Sequence, residues 1–101
     1  MLKAVAKKYL KGLAHGLKPI VFIGEKGLTE NFEKALNEAL DAHELVKVRF
    51  VDFKEKELKT DLSTEIEKRC GCDKVGMIGH IAIYYREQRD PKKRKIVLPE
   101  N

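Results

Sequence analysis

The chain contains no apolar run approaching the roughly 20 residues that a helix needs to cross a bilayer, so no membrane-spanning helix is expected. Its first residues, Met1 to Lys8, alternate lysine with small apolar side chains and lack the continuous apolar core of a secretory signal. A cytoplasmic protein with no membrane partner is expected. Cysteine is scarce: Cys70 and Cys72 are one residue apart, not the two typical of zinc knuckles, and the three histidines are dispersed. No metal site and no cofactor are expected, and the two thiols are expected to be reduced. No serine or cysteine stands near a histidine and a carboxylate in sequence, and the carboxylates follow helix-surface patterns. Nothing here asks for catalysis.

What is present suits one domain. A length of 101 residues supports a single core, and 43% apolar residues argue against wholesale disorder. The net charge of +5 is unevenly placed. Residues 1–18 carry five lysines and no acid, residues 19–85 are net −3, and residues 86–101 are net +3. Basic charge gathered at both ends suits a polyanion-binding surface as well as it suits solvated helix faces.

Leu2, Val5, Ala6, Tyr9, Leu10 and Leu13 recur at three- and four-residue steps and predict a first helix, with Lys3, Lys7 and Lys11 on one stripe and Lys8 beside them. Gly16 and Pro19 end it. Ile20 to Ile23 reads as a strand, apolar at every position and therefore expected to be buried on both faces. Thr29 is a good N-cap for a second helix through Ala42, with Phe32, Ala35, Leu36, Ala39 and Leu40 facing inward. Leu45 to Val51 alternates as a second strand, which sets Lys47 and Arg49 side by side as either a basic patch or a solvated edge. Leu58, Leu62, Ile66 and Cys70 predict a third helix from about residue 54, capped by Gly71. Lys74–Ile78 and Ile81–Tyr85 form a hairpin around Gly79-His80. The run Lys92-Lys93-Arg94-Lys95 follows, and Ile96-Val97-Leu98 can dock back on the domain. The expected fold is α/β, a compact mixed four-stranded sheet with helices in the order α-β-α-β-α-β-β. Two strand–helix–strand units imply two parallel pairs. Phe22, Phe32 and Phe50 lie on apolar stripes and are expected in the core. Tyr84 and Tyr85 point to opposite sheet faces, so one is expected to be exposed.

The most informative feature is the loop Gly24-Glu25-Lys26-Gly27 between the first strand and the second helix. Glycines let a backbone ligand approach closely, and the helix N-terminus adds unpaired N–H donors and partial positive charge.

Four blocks carry a resemblance: LKGLAHGLKPIVFIGEKGLTE (Leu10 to Glu30), ALDAHELVKV (Ala39 to Val48), VGMIGH (Val75 to His80) and IYYR (Ile83 to Arg86). In order and spacing they resemble the YhbY-like family, stand-alone copies of the CRM domain named for chloroplast RNA splicing and ribosome maturation. The likeness covers about residues 2 to 98, so one CRM-like domain over residues 1–98 is expected, with the basic segment 86–98 docking on it. It implies a fold similar to the C-terminal domain of translation initiation factor three. It also implies a small RNA-binding module, with ribosomal RNA in the large-subunit precursor as its target above all; a non-enzymatic protein and a monomer are expected. The family's RNA-contact loop maps onto Gly24, Glu25, Lys26 and Gly27, and Arg86 matches a family arginine; the charge stripe of the first helix adds Lys7, Lys8 and Lys11 as further expected contacts. Glu25 departs from the family's basic or polar loop residue, and His80 stands where a basic residue is common. Scarce free aromatics argue against stacking of bases on the sheet. The alternative is a protein-interaction module on the ribosome or an assembly factor, with no direct RNA contact.

Overall fold

The computed structural model describes residues 2–53 and 55–99. Helix α1 (Ala4–Ala14) leads into strand β1 (Val21–Ile23), helix α2 (Glu30–His43), strand β2 (Leu45–Phe50), helix α3 (Lys56–Cys70) and the hairpin of β3 (Asp73–Ile78) and β4 (Ile81–Tyr85). A short 3-10 turn, Pro91–Lys93, follows. Position 54, at the expected start of the third helix, and Met1, the expected start of the domain, lie outside the described residues.

The sheet order is β1-β2-β4-β3. Strand β1 pairs with β2 in parallel, while β4 is antiparallel to both β2 and β3. One parallel pair therefore forms where two were expected. Strand β4 folds back between β2 and β3 because four of its five residues, Ala82 to Tyr85, are buried, whereas β3 carries Lys74, Gly76 and an exposed Ile78 suited to an edge. Since β1, β2 and β3 run the same way, the loops after β1 and β2 and the β3–β4 turn share one end of the sheet.

Two cores result. Helices α2 and α3 cover one face, burying Phe32, Leu36, Leu40, Ile66 and Cys70 against Val21, Ile23, Val46, Val48, Phe50 and Tyr84. Helix α1 covers part of the other, burying Leu10 and Ala14 against Leu45, Val75, Ile83 and Tyr85, with Ile96 and Leu98 packed alongside. Both tyrosines are thus buried, contrary to expectation, because each face is covered beneath β4. Tyr84 donates to the Ser63 carbonyl at 2.8 Å, and burial pushes both phenols up, Tyr85 to about 12.

Among the described residues helix α1 has no neighbour helix on its face, so its buried stripe narrows to Ala6, Leu10 and Ala14, and Val5, Tyr9 and Leu13 stay open. In α3 the expected stripe rotates away. A four-residue step advances about 40° beyond a full turn, so Leu58 drifts out to solvent while Lys59 and Ser63 turn inward with Ile66 and Cys70. Gly71, in the left-handed region at φ +58°, closes the helix.

Candidate nucleic-acid interface

Strand β1 stops at Ile23, and the chain reverses in a tight turn closed by the Gly27 amide donating to the Gly24 carbonyl at 2.9 Å. Gly27 has φ +70°, which a side chain would strain. The Thr29 amide donates to the Gly27 carbonyl at 3.0 Å, and the Thr29 hydroxyl accepts from the Phe32 amide at 3.1 Å, so α2 starts on a proper cap. Gly24 is different. Its φ is not positive, and a Cβ added there would meet nothing within 4 Å, so no internal contact calls for glycine at that position. Among the described residues the amides of Gly24, Glu25, Lys26, Glu30 and Asn31 have no hydrogen-bond acceptor. Gly24, Glu25 and Lys26 are exposed. The loop is an open cradle of N–H donors, with the one cation of Lys26 offset by Glu25 and Glu30.

Strand β1 is an edge strand, and α1 packs on β2, β4 and β3 rather than on it. Phe22, expected in the core, is therefore 57% exposed, and Ile20 is 51% exposed on the same side. Phe22 lies in register with Arg49 on β2, which is also exposed. Lys47, two residues back, donates to the Leu17 carbonyl at 2.9 Å. Phe22 and the loop line a shallow depression of about 590 Å³ that reaches Asp52, and Asp52 continues into a second of about 550 Å³ with Arg49 and His80. An aromatic face, an arginine and the amide cradle thus form one surface.

Not all expected contacts join it. The Lys11 stem crosses Gly76 on β3, where a Cβ would come within 2.7 Å of its Cε. Strand β3 is three spacings from β1, roughly 14 Å, so the α1 lysines with Lys11 form a separate patch. Arg86 sits beyond β4 at the opposite end of the sheet from the loop. Its guanidinium donates to Asn37 Oδ1 at 2.7 Å, the Cys70 carbonyl at 2.8 Å, the Asn37 carbonyl at 3.1 Å and Asp41 Oδ1 at 3.0 Å. Those bonds tie the ends of α2 and α3 together, so Arg86 is a structural clamp.

The profile of the CRS1/YhbY (CRM) domain matches residues 2–86. The chain belongs to this family. It is 38% identical over 91 residues to a Haemophilus influenzae protein named RNA-binding protein, covering 90% of this chain and 91% of that one. It is 34% identical over 99 residues to the probable RNA-binding protein YqeI of Bacillus subtilis, covering 98% and 100%. The solution structure of the hypothetical protein SAV1595 from Staphylococcus aureus matches with a TM-score of 0.81 at 32% identity, over 98% of this chain and all of that one.

In this CRM domain, Phe22 is the residue that sequence reading missed. A usable signal existed: Phe22 pairs with Arg49, and a face that leaves an arginine open leaves its strand neighbour open too. Cys70 and Cys72 are free, buried thiols. Burial raises both, Cys72 to about 12, which makes them inert side chains of the core. Among the described residues no group of three or more His, Cys, Asp or Glu is placed to hold a metal ion.

Proposed function

We propose that this protein is a non-enzymatic RNA-binding module that takes the sugar–phosphate chain on the loop Gly24–Gly27 and the first turn of α2. The carrying observation is the set of unpaired amides at an exposed strand-to-helix turn, beside a glycine that nothing internal demands. Five donors in one bend suit a phosphate oxygen and are indifferent to base identity. Phe22 offers a flat face to an unpaired base next to that phosphate, and Arg49 and Lys26 supply charge. Lys7, Lys8 and Lys11 act at longer range as a second, separate basic patch.

Membership of the CRM family supports ribosomal RNA in a large-subunit precursor as the target, met in the cytoplasm by a monomer. The test is crosslinking in cells followed by sequencing of the attached RNA, with Gly27→Asp and Lys26→Glu as controls. Ribosomal sequence should dominate and should fall sharply in both variants; equal recovery of the same RNA in both would remove the loop from the contact.

A second reading has its own observation. Leu13, Leu17 and Ile20 are each at least 40% exposed and line an apolar groove of about 390 Å³ with Leu45 and Ile96. Docking of a protein there predicts binding that survives moderate salt and loss of the lysines, whereas RNA binding weakens steeply with salt.

A further inference from the structure

Between the first turns of α3 and strand β3 lies a groove of about 370 Å³ lined by Lys56, Lys59, Thr60, Lys74, Met77 and Gly79. Three of its six lining residues are lysines and none is acidic. Lys59 is only 8% exposed, and its ammonium lies 3.1 Å from His80 Nδ1. An ammonium can only donate, so the ring nitrogen is the acceptor in this contact and brings no negative charge to it. The Lys74 ammonium donates to the Ser63 hydroxyl at 2.6 Å, another neutral partner. Glu67 accepts from the Lys74 backbone amide, not from its ammonium. Among the described residues none of the three lysines has a carboxylate at salt-bridge distance. Among the described residues, helix α3 also begins here without a side-chain cap, which sets its N-terminal end beside Lys56.

Three lysines that converge on one groove and, among the described residues, meet only uncharged partners leave their donors available to an anion. We propose that this groove is a phosphate-binding site, with Lys59 and Lys74 on the walls and Lys56 at the mouth. On the RNA-binding reading above, which this inference extends, the phosphate belongs to the same strand that lies on the loop. The geometry permits it: Gly79 at the end of the groove and Gly24 in the loop stand at one end of the sheet, three strand spacings or about 14 Å apart. The RNA would then cross the strand ends from β1 to β3, past Arg49 and His80.

The first arm of the test uses inorganic phosphate, titrated into the full chain at constant ionic strength and followed by backbone and lysine side-chain NMR. Saturable shifts are expected at Lys59, Lys74 and Gly79. They should vanish in the Lys56→Gln/Lys74→Gln double variant and persist in Lys26→Glu. Lys59→Met, which keeps the stem and removes the charge, should also lose them; if it fails to fold, the double variant carries the arm. Shifts that never saturate, spread over all surface lysines, or survive the double variant overturn the site. The second arm uses fragments of large-subunit ribosomal RNA. The double variant should lower the slope of log affinity against log salt by about 0.7 for one lost phosphate contact. An unchanged slope with phosphate binding intact overturns the RNA source and assigns the groove to a free phosphate compound. If the wild type binds no RNA, the RNA-binding reading fails, and the phosphate arm alone decides the groove.

Discussion

Glu25 is the acid that the loop would do better without, and reversing it gives a gain rather than a loss. Its side chain is exposed, and among the described residues it has no salt-bridge partner, so Glu25→Lys leaves the fold untouched. A phosphate seated on the neighbouring amides would lie about 6 Å from that side chain. In water, two unit charges at that distance interact by about 0.7 kcal/mol. Removing a repulsion and adding an equal attraction then yields about 1.4 kcal/mol, or tenfold in affinity at low salt. With a screening length of about 10 Å at 0.1 M, each contribution falls to roughly half, leaving a gain of about fourfold. The salt dependence should steepen by about 0.7 in slope, as one more cation displaces counterions. Fluorescence anisotropy with a labelled ribosomal RNA fragment across a salt series measures both quantities. An affinity that is unchanged or lower at every salt concentration, with the thermal transition unmoved, would refute phosphate binding at this bend.

Phe22→Ala should weaken binding of a single-stranded RNA by about 1–3 kcal/mol, the range for loss of one base–aromatic stack, while shifting stability by only about 0.5 kcal/mol because the ring is mostly exposed. Equal loss with a fully paired duplex would sink the stacking role. Arg86→Ala should lower unfolding free energy by about 2–3 kcal/mol in urea, since it orphans the Cys70 carbonyl and Asn37 Oδ1, yet leave the salt slope of RNA binding unchanged. Glu44→Gln should destabilise by about 2 kcal/mol, because the buried carboxylate accepts from the amides of Gln88, Lys95 and Ile96 at 2.7–3.1 Å. Burial alone would raise the Glu44 pKa, but those three amides and Arg94 outweigh it and hold it below the ordinary carboxylate value. Its contribution is therefore complete above the unfolded value of about 4.3 and is lost as pH falls through the lower folded one, so the pH dependence of stability below about 4.3 should flatten in the variant.

The helices and strands were legible in the sequence because each advertises itself locally: the Thr29 cap, the Val46-Val48-Phe50 alternation and the stop at Gly71 need no knowledge of what lies across the chain. The loop was legible for the same reason. What escaped depends on neighbours. Continuous apolarity in Ile20 to Ile23 reads as burial on two faces, yet α1 sits over the far side of the sheet and leaves Phe22 open. The place of β4 between β2 and β3 is a tertiary choice that no periodicity records, and with it went the second parallel pair and the exposed tyrosine. Perfect four-residue spacing in α3 concealed the angular drift that brings Lys59 inward. Arg86 looked like a free cation because its acceptors come from residues 37, 41 and 70.

The basic run near the C-terminus is no loose tail. One buried carboxylate, Glu44, receives amides from both Gln88 and Lys95, cinching the intervening stretch at its neck as a drawstring closes a purse. Arg89, Lys92 and Lys93 are consequently presented together on a small fixed lobe. Whatever anion meets that lobe encounters cations carried on a backbone already folded into place, with the acid at its neck joined by the Arg94 bond to the Gln88 carbonyl in keeping it so.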